Sequence, residues 1–262
     1  MSSKAVAQRE RREDIDALGP WFHNIHLPDG RQTAPGHPFG DFPAFKWQRV
    51  QSAVPQDLRG WTALDIGCNA GFYAIEMAKR GAHVTAVDVE PLYLDQARWV
   101  VEQFGLRSQI DIVEGHVYEL LKSAERYDFV WFTGVFYHLK YPALALDLIR
   151  RATRRLMMFQ TMTMPGEEVV APPHDLPLDE RNAMRSPGWP KMAFIEHKVA
   201  NDATNWWAPN HACVEALLRA AAFKVVQRPE HEFYLCEPDG VFESQDLARM
   251  LAVPSPDGRG LG

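Results

Sequence analysis

The chain has 262 residues, 46% of them apolar and 24% charged, with a formal net charge of −6. This length suits one large domain, or a domain with a substantial insertion, and can bury a sizeable core. The acidic balance disfavours broad contact with a phosphate backbone, and no apolar run reaches membrane-spanning length, so a cytoplasmic protein is expected.

Met1 to Asp14 is charged and lacks the apolar centre of a signal peptide, and residues 1–13 are expected to fray. Pro20 to Pro43 is dense in Pro, Gly, His and aromatic residues, too irregular for a helix and too aromatic for a linker. It should pack on something, which makes residues 1–55 an N-terminal extension and cap. His23, His26 and His37 crowd this segment, but no Cys or carboxylate completes a recognisable ligand set, so a hydrogen-bonding wall is expected here and no metal. The cysteines Cys68, Cys213 and Cys236 are odd in number and far apart, which argues against a disulfide framework and against zinc.

From Trp61 onward, short apolar or β-branched runs alternate with helical patterns. Strands are predicted at 62–66, 83–87, 109–113, 127–132, 155–161, 223–227 and 232–236. Helices follow from the one-sided spacing of Ala97, Val100, Val101 and Phe104, of Leu144, Ala145, Leu148, Ile149 and Ala152, and of Val214, Leu217, Leu218 and Ala221. Gly81 and Gly105 stop the first two crossover helices. The order predicts an α/β fold with a doubly wound, mostly parallel seven-stranded sheet over residues 56–252. Residues 162–210 interrupt the alternation with many Pro, Met and Trp and read as an inserted lid, while 253–262 read as a flexible tail.

The chemistry concentrates where the first strand ends. Gly67 and Gly71 let the backbone turn tightly and approach a ligand at the start of a helix. Their Gly-x-x-x-Gly spacing lacks the Gly-x-Gly-x-x-Gly that wraps a pyrophosphate, so a dinucleotide fits poorly. Asp88, closing the second strand, is placed to accept hydrogen bonds from ribose hydroxyls. Asp65 could fix the loop or meet a cationic amino group.

Asp65-Ile66-Gly67-Cys68-Asn69-Ala70-Gly71 with Asp88 resembles the donor-binding pattern of class I S-adenosylmethionine-dependent methyltransferases, with Asn69 in place of the usual middle glycine. Asn tolerates positive φ better than other non-glycine residues, so the turn survives. The resemblance covers roughly residues 45–240 and implies the Rossmann-like methyltransferase fold. It also implies S-adenosylmethionine held by Asp65, Gly67, Asn69, Gly71, Asp88, Val89, His116, Val117 and Thr133. The segment Thr133-Gly134-Val135-Phe136-Tyr137-His138-Leu139 would line the transfer site. Proton removal then falls to Tyr137 or His138, with His23 or His211 as further candidates.

A narrower likeness rests on Phe45-Lys46-Trp47-Gln48-Arg49-Val50, Gly134-Val135-Phe136-Tyr137-His138 and Asn205-Trp206-Trp207-Ala208-Pro209-Asn210. These segments are similar to enzymes that transfer a carboxymethyl group from carboxy-S-adenosylmethionine to the wobble uridine of tRNA. That branch needs cations for the extra carboxylate, whereas Trp21-Phe22-His23-Asn24 stands where a lysine-bearing segment is expected, and a late arginine has no obvious counterpart. Ordinary S-adenosylmethionine and a small-molecule acceptor are therefore expected, with tRNA as the disfavoured rival. The aromatics Trp21, Phe22, Trp47, Trp189, Phe194, Trp206 and Trp207 suit an acceptor that is partly apolar or can stack. Arg150, Arg151, Arg154 and Arg155 are expected on a solvated face at a helix C-terminus.

Overall fold

The computed structural model describes residues 14–121, 123–242 and 244–252, so the expectations for residues 1–13 and for the tail from 253 lie outside it. The chain divides into two compact units, one ending at His116 and one starting at Val117.

The first unit runs α1 (Ala44–Val50), β1 (Thr62–Ile66), α2 (Phe72–Ala78), β2 (His83–Asp88), α3 (Pro91–Gln103) and β3 (Ile110–Glu114). Its strands pair in parallel, β1 with β2 and β2 with β3, in a register that sets Ile66 beside Val87 and Asp88 beside Glu114. All three therefore end at one edge. Pro91 opens α3 at a position where its fixed φ is preorganised and no N–H is missed, and Leu94, Ala97, Val100 and Val101 bury the face that the spacing predicts.

The Pro20 to Pro43 segment packs as expected. Asn24 organises it: its N–H donates to Phe42 O at 2.6 Å, its Nδ2 to Gln32 Oε1 and Asp41 Oδ1, and its Oδ1 accepts from Ala34 N–H at 3.0 Å. Gln96 Nε2, fully buried on α3, donates to Leu18 O at 2.7 Å and Pro20 O at 2.9 Å. Irregular backbone can be buried here because side-chain amides replace the missing ladder.

The second unit runs β4 (Tyr127–Thr133), α4 (Pro142–Ala152), β5 (Thr153–Gln160), β6 (Met192–Phe194), β7 (Trp207–Pro209), α5 (His211–Ala220), β8 (Phe223–Glu230), β9 (Phe233–Pro238) and α6 (Gln245–Ala252). β4 pairs in parallel with β5, which pairs antiparallel with β9, itself antiparallel to β8. Setting aside the β6/β7 hairpin, the remaining seven strands belong to one mostly parallel sheet, as the sequence predicts. Phe129, Val130, Trp131 and Phe132 are wholly buried on β4, the continuous apolar run expected of a strand covered on both faces.

Within 162–210 the chain is irregular apart from a 3-10 stretch, Leu178–Arg185, and the β6/β7 hairpin. Asn210 ties that hairpin to the next helix. Its Oδ1 accepts from Cys213 N–H at 2.9 Å as the N-cap of α5 and from Lys191 N–H at 3.1 Å, while its Nδ2 donates to Trp189 O at 2.7 Å. The arginine run needs correction. Arg150 is buried, with Nε donating to Ala222 O and Nη2 to Gly240 O, both at 2.9 Å, and Arg155 pairs with Asp128 at 3.1 Å. Arg150 and Arg151 end α4, but the chain passes straight into β5, so Arg154 and Arg155 lie on a strand. No helix among the described residues is long and apolar enough to cross a membrane.

Candidate active site

In the first unit, the turn after β1 is held from below by β2. Gly67 and Cys68 N–H donate to Val87 O at 2.8 and 3.0 Å, and Gly71 N–H to Cys68 O at 2.8 Å. Gly67, Asn69 and Gly71 have φ of 72°, 49° and 82°. Asn69 makes its own left-handed turn tolerable, since its Oδ1 accepts from Ala70 N–H at 2.8 Å.

Asp88 fastens this turn to its own strand end. Its Oδ2 accepts from Asn69 N–H at 2.8 Å, and its Oδ1 accepts from Val89 N–H at 2.8 Å and Glu90 N–H at 3.1 Å. A carboxylate offers about four acceptor positions, so these bonds leave about one for a ligand. The sequence reading missed this structural duty. Gly115 N–H donates to the backbone O of Asp88 at 3.0 Å, which ties the end of β3 to the end of β2, one residue ahead of His116. Val89 is exposed at this edge and Val117 is buried at the start of the second unit.

Asp65 is fully buried on β1, and burial pushes its carboxyl up to about 8, against the Ala74 N–H that favours the anion and with the negative charge of Asp88 adding to the rise. Its Oδ2 has no hydrogen-bond partner among the described residues. At neutral pH Asp65 therefore holds a proton unless a cation comes to Oδ2. His23, also in this unit, is packed among Phe22, His37 and Phe42, and burial, with the charges of His37 and Lys46, holds its imidazole down near 3. It is too weak a base for proton removal at neutral pH. His26 Nε2 lies 2.8 Å from Asp41 Oδ1, a carboxylate that the sequence spacing did not reveal.

In the second unit the segment after β4 has its own geometry. Gly134 N–H donates to Gln160 Oε1 at 2.9 Å, and Gln160 Nε2 donates to Glu232 Oε2 at 3.0 Å. Thr133 Oγ1 accepts from Trp131 Nε1 at 2.8 Å. The Tyr137 hydroxyl lies 3.9 Å from where a Cβ on Gly134 would stand. Burial and the charges of Glu232 and Asp202 push that hydroxyl up to about 12, so Tyr137 is a hydrogen-bond donor rather than a base.

His138 has a defined tautomer. Thr204 Oγ1 gives its only proton to Asp202 Oδ1 at 2.6 Å, so it accepts from His138 Nδ1–H at 2.9 Å, and Thr204 O at 3.3 Å accepts from the same N–H. The lone pair is then on Nε2. Burial lowers the imidazole from its ordinary value, while Asp202 and Thr204 pull it upward. Sequence reasoning found His138 but missed Asp202 and Thr204. The signal was the Asp-x-Thr just ahead of Asn205-Trp206-Trp207, which here forms a turn with Thr204 N–H on Asp202 Oδ1 at 2.7 Å.

His211 is wholly buried and its Nδ1 lone pair is taken by Arg228 Nη2 at 2.9 Å and by the Tyr234 hydroxyl. Burial and Arg228 both lower its imidazole. It is therefore a poorer candidate base than His138.

Residues 63–156 match the family model described as a methyltransferase domain. This stretch is a methyltransferase domain. The match agrees with the resemblance to class I S-adenosylmethionine-dependent methyltransferases that the motifs carry. It is 27% identical over 154 residues to a tRNA U34 carboxymethyltransferase of Cellvibrio japonicus, covering 57% of this chain and 44% of that protein. It is 27% identical over 184 residues to a tRNA U34 carboxymethyltransferase of Shewanella loihica, covering 68% and 48%. The chain thus spans about half the length of the relatives it matches. Its fold is shared with the N-terminal domain of EvdMO1, crystallised in the presence of S-adenosylhomocysteine and D-fucose, at a TM-score of 0.61 and 18% identity over 89% of this chain and 97% of that one.

Proposed function

We propose that this methyltransferase moves the methyl group of S-adenosylmethionine onto a small-molecule acceptor. The observation that supports it most is the Gly67 to Gly71 turn pinned on Asp88 inside the matched domain. In this reading the first unit takes the donor. The N–H groups opening α2 and the remaining acceptor position of Asp88 suit the ribose, His116 lies beside them for the adenine, and Asp65 Oδ2 suits the positive end of the methionine part. Val89 completes the donor assignment in this unit.

Methyl transfer is an in-line displacement at the sulfonium carbon, so the protein aligns the partners and removes a proton from the acceptor. His138 Nε2 is assigned as the base. The bonds from Nδ1 to Thr204 fix its tautomer, and Asp202 sits 3.9 Å away to favour the imidazolium once the proton arrives. Tyr137 orients the acceptor by donating its hydroxyl proton. Residues 162–210 are assigned as the cover of the acceptor and the segment up to 55 as a cap.

The names of the relatives favour a second reading, carboxymethyl transfer to tRNA. Calorimetry on the full chain separates the two. Methyl transfer to a small molecule is expected to show S-adenosylhomocysteine binding in preference to its carboxylated counterpart, with NAD inert and tRNA not retained. Tighter binding of the carboxylated donor together with tRNA retention would replace it, and no binding of either nucleoside would remove both.

A further inference from the structure

Beyond the groups already assigned, the second unit gathers two histidines and an arginine around Glu167. His231, in the turn between β8 and β9, has Nδ1 at 2.7 Å from Glu167 Oε1. Arg228 Nη2 lies 3.6 Å from Glu167 Oε2, and His211 Nε2 lies 3.6 Å from Glu167 Oε1. Glu167, His211 and His231 could be read as ligands for a metal ion. The protons decide otherwise. Arginine only donates, so its contact at 2.9 Å makes His211 Nδ1 an acceptor and leaves the ring proton on Nε2, where a metal would need a lone pair. A guanidinium beside the same carboxylate also opposes a cation.

Two donors therefore converge, His211 Nε2–H and His231 Nδ1–H, beside the positive charge of Arg228, whose Nη2 protons go to His211 Nδ1 at 2.9 Å and His231 O at 3.1 Å. Glu167 reaches His231 well and His211 badly. It comes from the irregular segment after β5 with its side chain 63% exposed, and it stops 3.6 Å from a wholly buried His211 Nε2 that has no hydrogen-bond partner among the described residues. A buried N–H without an acceptor is costly, so the arrangement is complete only with an acceptor seated deeper than Glu167 reaches. Its location gives it a use. His231 precedes Glu232, whose carboxylate holds Gln160 and, through it, Gly134 N–H in the segment that carries Tyr137 and His138.

We infer that Arg228, His211 and His231 form an acceptor subsite for a carboxylate, and that Glu167 fills it loosely when the acceptor is absent. This rests on the small-molecule reading above and adds that the acceptor carries a carboxylate group. A carboxylate already sits against these groups, and the guanidinium charge beside them favours an anion. An intramolecular occupant competes at high effective concentration, so its removal is the informative change.

The test uses the full chain with propionate as probe and propionamide as its neutral counterpart. Glu167→Ala is expected to bind propionate at least about tenfold more tightly than the wild type. Propionamide should bind neither, and Arg228→Gln and His231→Gln in the Glu167→Ala background should each lose the gain. Nitrogen-15 spectra of the wild type should show the His211 proton on Nε2. The subsite is overturned by unchanged propionate affinity in Glu167→Ala, by tighter binding of inorganic phosphate than of propionate, by a proton on Nδ1, or by micromolar Zn²⁺ binding lost in His231→Gln. Each of those results with S-adenosylhomocysteine still bound sinks the subsite alone, whereas loss of that nucleoside in the wild type sinks the donor reading beneath it.

Discussion

Asp65→Asn tests the electrostatics of the donor half most directly. The carboxyl is fully buried and titrates near 8, against an ordinary 3.8. The folded protein thus keeps a proton that the unfolded chain gives up in acid. The stability that this group contributes is complete below about pH 4, is lost as pH rises, and reaches its floor above about pH 8, with a slope of about 1.4 kcal/mol per pH unit between. Asparagine keeps the shape, never ionises, and can still accept from Ala74 N–H, although its amide leaves one donor unpaired. The variant's absolute stability therefore mixes several effects, but its pH dependence does not. Urea denaturation of donor-free wild type and variant is expected to show their difference growing in favour of the variant by at most about 4 kcal/mol from about pH 5 to about pH 8. A difference constant to within about 0.5 kcal/mol across that range would refute the claim that Asp65 is held protonated.

Asp88→Ala removes the acceptor shared by Asn69, Val89 and Glu90 N–H, so S-adenosylhomocysteine affinity should fall at least about tenfold by calorimetry, and a change within about twofold would refute the assignment. Gly71→Ala has room for its methyl, 3.5 Å from Ala97 Cβ, so its cost is the left-handed backbone, about 1–2 kcal/mol in denaturant melts; an unchanged midpoint would count against it. Asp202→Asn withdraws the charge that pulls the His138 imidazole upward, so its NMR titration should move to lower pH, and no movement would deny the two residues their coupling. Gln96→Ala should speed amide exchange in residues 20–43 while leaving β1 to β3 protected, and uniform protection would show the amide to be dispensable.

The parallel core was legible because each strand is a short apolar run and each crossover helix shows a one-sided stripe. β1 was read to the residue, and β8 and β9 were found although their antiparallel return leaves no separate mark on the sequence. The donor turn was legible for a different reason: positive φ at Gly67, Asn69 and Gly71 requires residues that tolerate it, and only a few do. What escaped were pairings across long loops. Nothing in the spacing of Glu167, His211, Arg228 and His231 announces that they meet, nor that Gln160 joins Gly134 to Glu232. Hydrogen-bond partners have no period, so pattern cannot place them. Arg150 shows the same effect in reverse, because one member of a charged cluster that looks solvated is buried and donates to carbonyls at the open end of the β8/β9 hairpin.

The grip of Gln96 on Leu18 and Pro20 sets where this protein tolerates shortening. Cutting the chain after Pro20 would leave a wholly buried amide on α3 facing nothing, and the loss would spread from a helix far along the sequence rather than from the cut itself. Tags and fusion partners therefore belong ahead of residue 14, and a shortened form that begins beyond Pro20 should be recovered mainly as insoluble material.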